Sequence, residues 1–181
     1  MYPSGGHAFW FGDAELLLDD IEEFITGHRE HFSGEAEPVL ATVLCTDIVD
    51  LTRRATEMGD LAWRRLLDQH DQAAKQIVQR HRSNLVKSTG DGILATFDEP
   101  DRAVRSALAL RTAAEQLGLR VRASLYTGEI ELRDQDIGGM AVHAAARVTA
   151  KCQPDEVLAS KVVTDLVAGA GLNSLIEVRM S

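Results

Sequence analysis

The sequence predicts an α+β domain with a ferredoxin-like βαββαβ core, a mixed or antiparallel sheet flanked by helices. Three features predict it. "VLATVLCT" (39–46) is a buried-strand run that leads into a long amphipathic pattern. "VKSTGDGILATF" (86–97) sets two short apolar runs on either side of Gly90-Asp91-Gly92, residue types that a tight reversal accepts. A second helical pattern then feeds "RVRASLYTGE", which alternates as a strand does. Strand, helix, hairpin, helix, strand is the ferredoxin-like order.

Each element follows in turn. Residues 1–38 form an N-terminal appendage and linker: Asp13 can cap a helix with Leu17, Leu18, Ile21 and Ile25 on one face, Gly27 stops it, and "HREHFSGEAEP" is linker. The main domain occupies 39–181. After its first strand, Trp63, Leu66, Leu67, Ala74, Ile77 and Val78 recur at helical spacing. Pro100 suits the first turn of the second helix, which closes at Gly118. In the strand that follows, Val121, Ala123 and Leu125 share one side, opposite Arg120, Arg122, Ser124 and Tyr126. "GGMAVHAAARVTAK" predicts a helix, "EVLAS" a strand, "KVVTDLV" a short helix and "SLIEVRM" a last strand.

Composition narrows the function. The chain has 181 residues, 45% hydrophobic and 26% charged, enough for one domain with a buried core. Its 19 Lys and Arg against 28 Asp and Glu give a net charge of −9 without a basic stripe, which argues against a nucleic-acid polymer as partner. Cys45 and Cys152 stand far apart with no CxxC, so neither a disulfide framework nor a structural zinc site is expected, and Cys45 is expected to pack in the central strand. No apolar run nears the membrane-spanning length, and the first residues lack a signal-peptide pattern. A cytoplasmic protein with no membrane association is the expectation.

The fold gives Asp91 a neighbour. In a ferredoxin-like sheet the strand ending at Asp47 lies antiparallel beside the strand that leaves the Asp91 turn, so the two carboxylates come level. They repel unless a cation sits between them, and hard oxygen ligands suit Mg²⁺ or Mn²⁺. Just beyond, the helix opening at Asp50, Leu51 and Thr52 offers N-terminal amides to phosphate oxygens, with Asp50 itself a helix-start cap. Dicarboxylate, divalent metal and phosphate cradle suggest phosphoryl or nucleotidyl transfer.

"ATVLCTDIVDLTRRATEMGD", "VKSTGDGILATFDEPDRAVRSALAL", "SLYTGEI" and "DIGGMAVHAAARV", in this order, resemble the class III adenylate/guanylate cyclase catalytic domain over about residues 39 to 172. The resemblance implies a head-to-tail homodimer with two shared interfacial sites, each converting ATP to 3′,5′-cyclic AMP and pyrophosphate. It implies that Asp47 and Asp91, with the main-chain carbonyl of Ile48, hold two Mg²⁺ or Mn²⁺ ions per site. Lys87 and Asp136 of the opposite protomer are implied to read the purine, Lys87 donating to N1 and Asp136 accepting from the 6-amino group. Guanine would set a carbonyl against Asp136, so adenylate cyclase is the expected activity. Arg147 is implied to meet the charge that grows on the transferring phosphate.

The chain also departs from the family pattern. His143 stands one helical turn before Arg147, where many relatives carry an asparagine that orients the ribose. No lysine follows Lys161, where relatives bring a phosphate-binding lysine, so weaker triphosphate binding or a substitute cation is expected. A catalytically weak nucleotide-binding module acting through dimerisation is the alternative function. "GGHAFWFGDAELLLDDIEEFITG" resembles the tail of an α/β-hydrolase, with His7 matching its triad histidine, but the chain has no G-x-S-x-G elbow. The resemblance implies a remnant of a hydrolase–cyclase fusion.

Overall fold

A computed structural model describes residues 38–88, 90–133 and 136–178. The helix expected over Asp13 to Gly27, and His7, lie outside them. Among the described residues, seven strands form one mixed sheet in the order β2-β3-β1-β4-β6-β7, with β5 paired to β4. The strands are β1 (Pro38–Ile48), β2 (Asn84–Ser88), β3 (Ile93–Phe97), β4 (Val121–Arg133), β5 (Asp136–Gly138), β6 (Val157–Ala159) and β7 (Glu177–Val178). β1, β2, β3 and β4 pair antiparallel in the ferredoxin-like order, while β4–β6 and β6–β7 are parallel.

The helices are α1 (Leu51–Met58), α2 (Asp60–Arg80), α3 (Pro100–Gln116), α4 (Met140–Lys151) and α5 (Lys161–Val167). Helix α2 buries Trp63, His70, Ala74 and Val78, residues spaced to share one stripe. Gly59 at φ +80° separates it from α1. Helix α3 carries Pro100 in its first turn and ends where expected: the Leu119 amide donates back to the Ala114 carbonyl (2.8 Å) across Gly118 at φ +71°. That is the bond of a glycine-terminated helix.

β1 is buried throughout residues 41 to 47 because both of its faces are covered. Leu44 belongs to the main core with Ala74 and Val78 of α2 and Ala103, Val104 and Ala107 of α3. Ala41, Val43 and Cys45 face the other way, onto Ala141, Val142 and Ala145 of α4. Double coverage explains why the strand reads as a continuous apolar run rather than as an alternation.

Two differences from the sequence reading concern β4 and its return. β4 runs on to Arg133 and pairs with β5, so Asp136 lies on a strand. The stretch "ELRDQD" carries too few apolar residues to announce a hairpin by periodicity.

His70 supplies a test of the packing. Burial holds its imidazole below the ordinary value of 6.5, while Asp71 pulls the other way. The unfolded chain therefore takes up a proton first as pH falls, and stability is lost from about pH 6.5 down to the folded-state pKa. Thermal melts should show the unfolding temperature dropping through this window, and His70→Gln should flatten the slope there.

Candidate active site

The ends of β1 and β3 meet at unusually close range. Cys45 pairs with Leu94, which sets Gly92 beside the last turn of β1. A Cβ on Gly92 would lie 1.9 Å from the Thr46 carbonyl oxygen, so only glycine permits the approach. The Ile48 amide donates to the Asp91 carbonyl (2.6 Å), and the Ile93 amide to Thr46 Oγ1 (3.1 Å). These contacts bind the Asp91 turn to the strand end that carries Asp47. Burial pushes the Cys45 thiol up to about 12, opposed by a hydrogen bond from Thr149, and the Asp47 and Asp91 carboxylates both add to the rise. The thiol thus senses both carboxylates, and Cys45 packs in the central strand as expected.

This geometry fits a hard cation. Two carboxylates lie at adjoining strand ends with the Ile48 main chain between them, and oxygen is the donor type that Mg²⁺ and Mn²⁺ prefer. Among the described residues no group of three or more His, Cys, Asp or Glu gathers, so any metal here relies on backbone, substrate or water for its remaining ligands.

Lys87 reaches the same sheet face through a bulge. Leu85 pairs with Ala95 and Lys87 with Leu94, the register shifting between them. Without that shift Lys87 would oppose Ile93 and point toward α2 and α3. With it, Lys87 shares a face with Leu94, Cys45 and Asp47, a re-aiming that bulges commonly perform. Its Nζ donates to Asp136 Oδ2 at 2.8 Å, with both side chains partly exposed. Lys87 and Asp136, which the resemblance implies read the base, therefore stand together in one chain, 49 positions apart.

Helix α4 packs over β1 and β4 on this face. The Ser124 hydroxyl lies 2.7 Å from the Ala145 carbonyl and 2.7 Å from the Thr149 hydroxyl, all fully buried, and Cys152 Sγ donates to the Ala123 carbonyl (3.3 Å). These bonds fix the helix's rotation. Met140, His143 and Arg147 are spaced to share the outward stripe, and all three are exposed. Neither His143 nor Arg147 forms an ion pair with another described residue.

Asp50 behaves differently from a cap. It precedes α1 in a left-handed conformation (φ 59°, ψ 30°), and its side chain makes no capping hydrogen bond. Instead its carboxylate accepts from Arg53 Nη2 at 2.6 Å, since the left-handed backbone turns the carboxylate away from the helix amides. Leu51 and Thr52 form the first turn of α1 directly beyond Ile48 and Val49.

One residue of this region was missed in the sequence reading. Arg122 is the cross-strand partner of Asp47 and donates from Nε to its Oδ2 at 2.6 Å. The signal was present in the alternation of β4, which puts Arg122 on the side of Ser124, but only the register identifies its partner.

No family model matches the chain. It is 28% identical over 158 residues to an uncharacterised protein of Mycobacterium tuberculosis, covering 83% of this chain and 42% of that protein. It is 26% identical over 159 residues to a protein of Streptomyces coelicolor named adenylate cyclase, covering 80% of this chain and 42% of that protein. The chain thus spans less than half the length of these relatives. Among solved structures, the adenylate/guanylate cyclase/hydrolase of Silicibacter pomeroyi superposes with a TM-score of 0.65 at 28% identity, over 74% of this chain and 83% of that one.

Gly92→Ala tests the contact that brings the two aspartates together. The added methyl must push β3 off the Thr46 carbonyl, at a cost of about 1–3 kcal/mol for an overpacked site. Urea unfolding should show that loss, whereas Gly169→Ala, where an added Cβ meets nothing within 4 Å, should stay close to wild type.

Proposed function

We propose that the chain carries a class III adenylate/guanylate cyclase catalytic domain and is an adenylate cyclase acting as a homodimer. It would convert ATP to 3′,5′-cyclic AMP and pyrophosphate in two sites shared across the dimer interface. One observation carries the choice of adenine: Lys87 and Asp136 bring a donor and an acceptor side by side, 2.8 Å apart. N1 and the 6-amino group of adenine present an adjacent acceptor and donor. Guanine presents the reverse, and a mismatched pair in a closed site costs several kcal/mol, roughly enough for a large preference.

Asp47, Asp91 and the Ile48 carbonyl would hold the two Mg²⁺ or Mn²⁺ ions, whose chemistry when bound is to acidify the ribose 3′-hydroxyl and to offset triphosphate charge. The 3′-oxygen forms the new bond to the α-phosphorus, the bond to the bridging oxygen breaks, pyrophosphate leaves, and the hydroxyl proton passes to solvent. The chain's own residues orient this displacement. The first-turn amides at Leu51 and Thr52 suit phosphate oxygens. Arg147 would donate to the transferring phosphate as its charge grows, and His143, one turn earlier on the same stripe, would steady the ribose.

Exposure supports the shared site. His143 and Arg147 project away from the sheet that holds Asp47 and Asp91, on a stripe with Met140, which is 80% exposed. Functional groups directed outward from their own chain suit a second copy that supplies the rest.

Mixing two inactive proteins tests this. Asp47→Ala and Arg147→Ala should each be nearly inactive alone. Their heterodimer concentrates both lesions in one site and leaves the other intact. With free exchange, half the dimers are mixed, so about a quarter of wild-type activity should return by symmetry counting. Absence of recovery in a sample shown by native mass measurement to contain mixed dimers would overturn the shared site. The base assignment has its own test: Lys87→Glu with Asp136→Cys should erode the preference for ATP over GTP in a cyclic-nucleotide assay. An unchanged preference would mean that other residues read the purine.

A further inference from the structure

Arg122 and Asp47 face each other across β4 and β1 with the geometry of a made ion pair. Nε and Nη2 of the guanidinium both approach the same carboxylate oxygen, Oδ2, at 2.6 and 2.5 Å. The Asp47 side chain is only 11% exposed and that of Arg122 32%. A carboxylate so far from water is costly unless a positive charge meets it. The neighbouring Asp91 carboxylate raises that cost, because two like charges at one strand edge repel. Arg122 supplies such a charge to Asp47.

A divalent ion asks for the same carboxylate. Hard cations bind carboxylate oxygens at about 2.0–2.1 Å for Mg²⁺, with near-octahedral demands on direction. A guanidinium seated on Oδ2 blocks part of that approach and has already neutralised the charge that draws the ion in. We propose that Arg122 is a positioning residue that holds Asp47 in an ion pair until a divalent cation takes the carboxylate, so that metal entry and guanidinium release are one exchange. The proposal rests on the reading of Asp47 as a metal ligand. Its consequence is functional. The protein alone binds metal weakly, since each ion must break a partly buried pair. The exchange also frees a positive charge beside the new metal, where an incoming polyanion makes its release less costly. The pair keeps the strand end and its carboxylate ordered in the interval.

The test is Mn²⁺ binding to the nucleotide-free protein, read from the electron paramagnetic resonance signal of the free ion. Arg122→Gln should bind Mn²⁺ about tenfold more tightly than wild type, the factor that a charge-assisted hydrogen bond is worth. Mn²⁺ should also raise its unfolding temperature by more than it raises that of wild type, since stabilisation by a ligand grows with the logarithm of its affinity. Arg122→Lys, which keeps the charge but loses the fork, should fall between the two. Should Arg122→Gln fail to fold, Arg122→Met, which keeps the apolar stem without the charge, carries the same expectation. Asp47→Asn serves as the reference and should lose Mn²⁺ binding. Equal or weaker binding by the neutral variants, with binding still lost in Asp47→Asn, overturns the exchange and leaves Asp47 a ligand. Undiminished binding by Asp47→Asn overturns the ligand reading itself. An Arg122→Lys protein as tight as Arg122→Gln also defeats the proposal, because the competitor would then not be the positive charge.

Discussion

The close approach of β3 to the end of β1 is the constraint on which the candidate site depends. With no side chain at Gly92, the turn that carries Asp91 lies against the Thr46 carbonyl, and hydrogen bonds through Ile48, Asp91, Thr46 and Ile93 tie the two strand ends together. Two carboxylates are thereby held at one edge of a rigid sheet despite their repulsion. The penalty is carried by the large core between the sheet and helices α2 and α3, where Leu44, Ala95, Phe97, Ala103 and Val104 are fully or almost fully buried. Sites placed on strands with such backing keep their geometry better than sites on loops.

The opposite sheet face is organised by polar contacts instead. Ser124, Thr149 and Cys152 anchor α4 to β1 and β4, and each of these groups is buried with a partner. Satisfied buried hydroxyls specify one rotation of a helix more sharply than a smooth apolar contact does. That rotation decides which residues of α4 turn outward: Ala141, Val142 and Ala145 go in, and Met140, His143 and Arg147 come out. The bulge in β2 acts on the same face, bringing Lys87 to Asp136.

Charge balance within the site recurs as a pattern. The chain carries a net −9, yet Asp47 is paired with Arg122 and Asp136 with Lys87. Each pairing orients a carboxylate, and each joins residues far apart in sequence. Asp50 does the same more locally, bonding Arg53 on the exposed surface. Exposed pairs of that kind contribute little to stability, so its role is conformational at most.

The sequence by itself determined the order of the core strands and helices. Strand runs, helical stripes, Pro100, Gly118 and the Gly-Asp-Gly turn are local signals, because their periods and backbone preferences act within a few residues. The same local order placed Asp47 and Asp91 at strand ends. Only the tertiary structure decided what those residues meet. The register of β1 on β4 gives Asp47 its partner Arg122. A single bulged residue moves Lys87 to the other face, and the strand that begins at Asp136 pairs with β4 with no periodicity to announce it. The left-handed backbone at Asp50 replaces an expected cap with a pair to Arg53. Register is a long-range property: one residue of slip exchanges the two faces of a strand, and composition and local periodicity do not encode which partner a side chain will face.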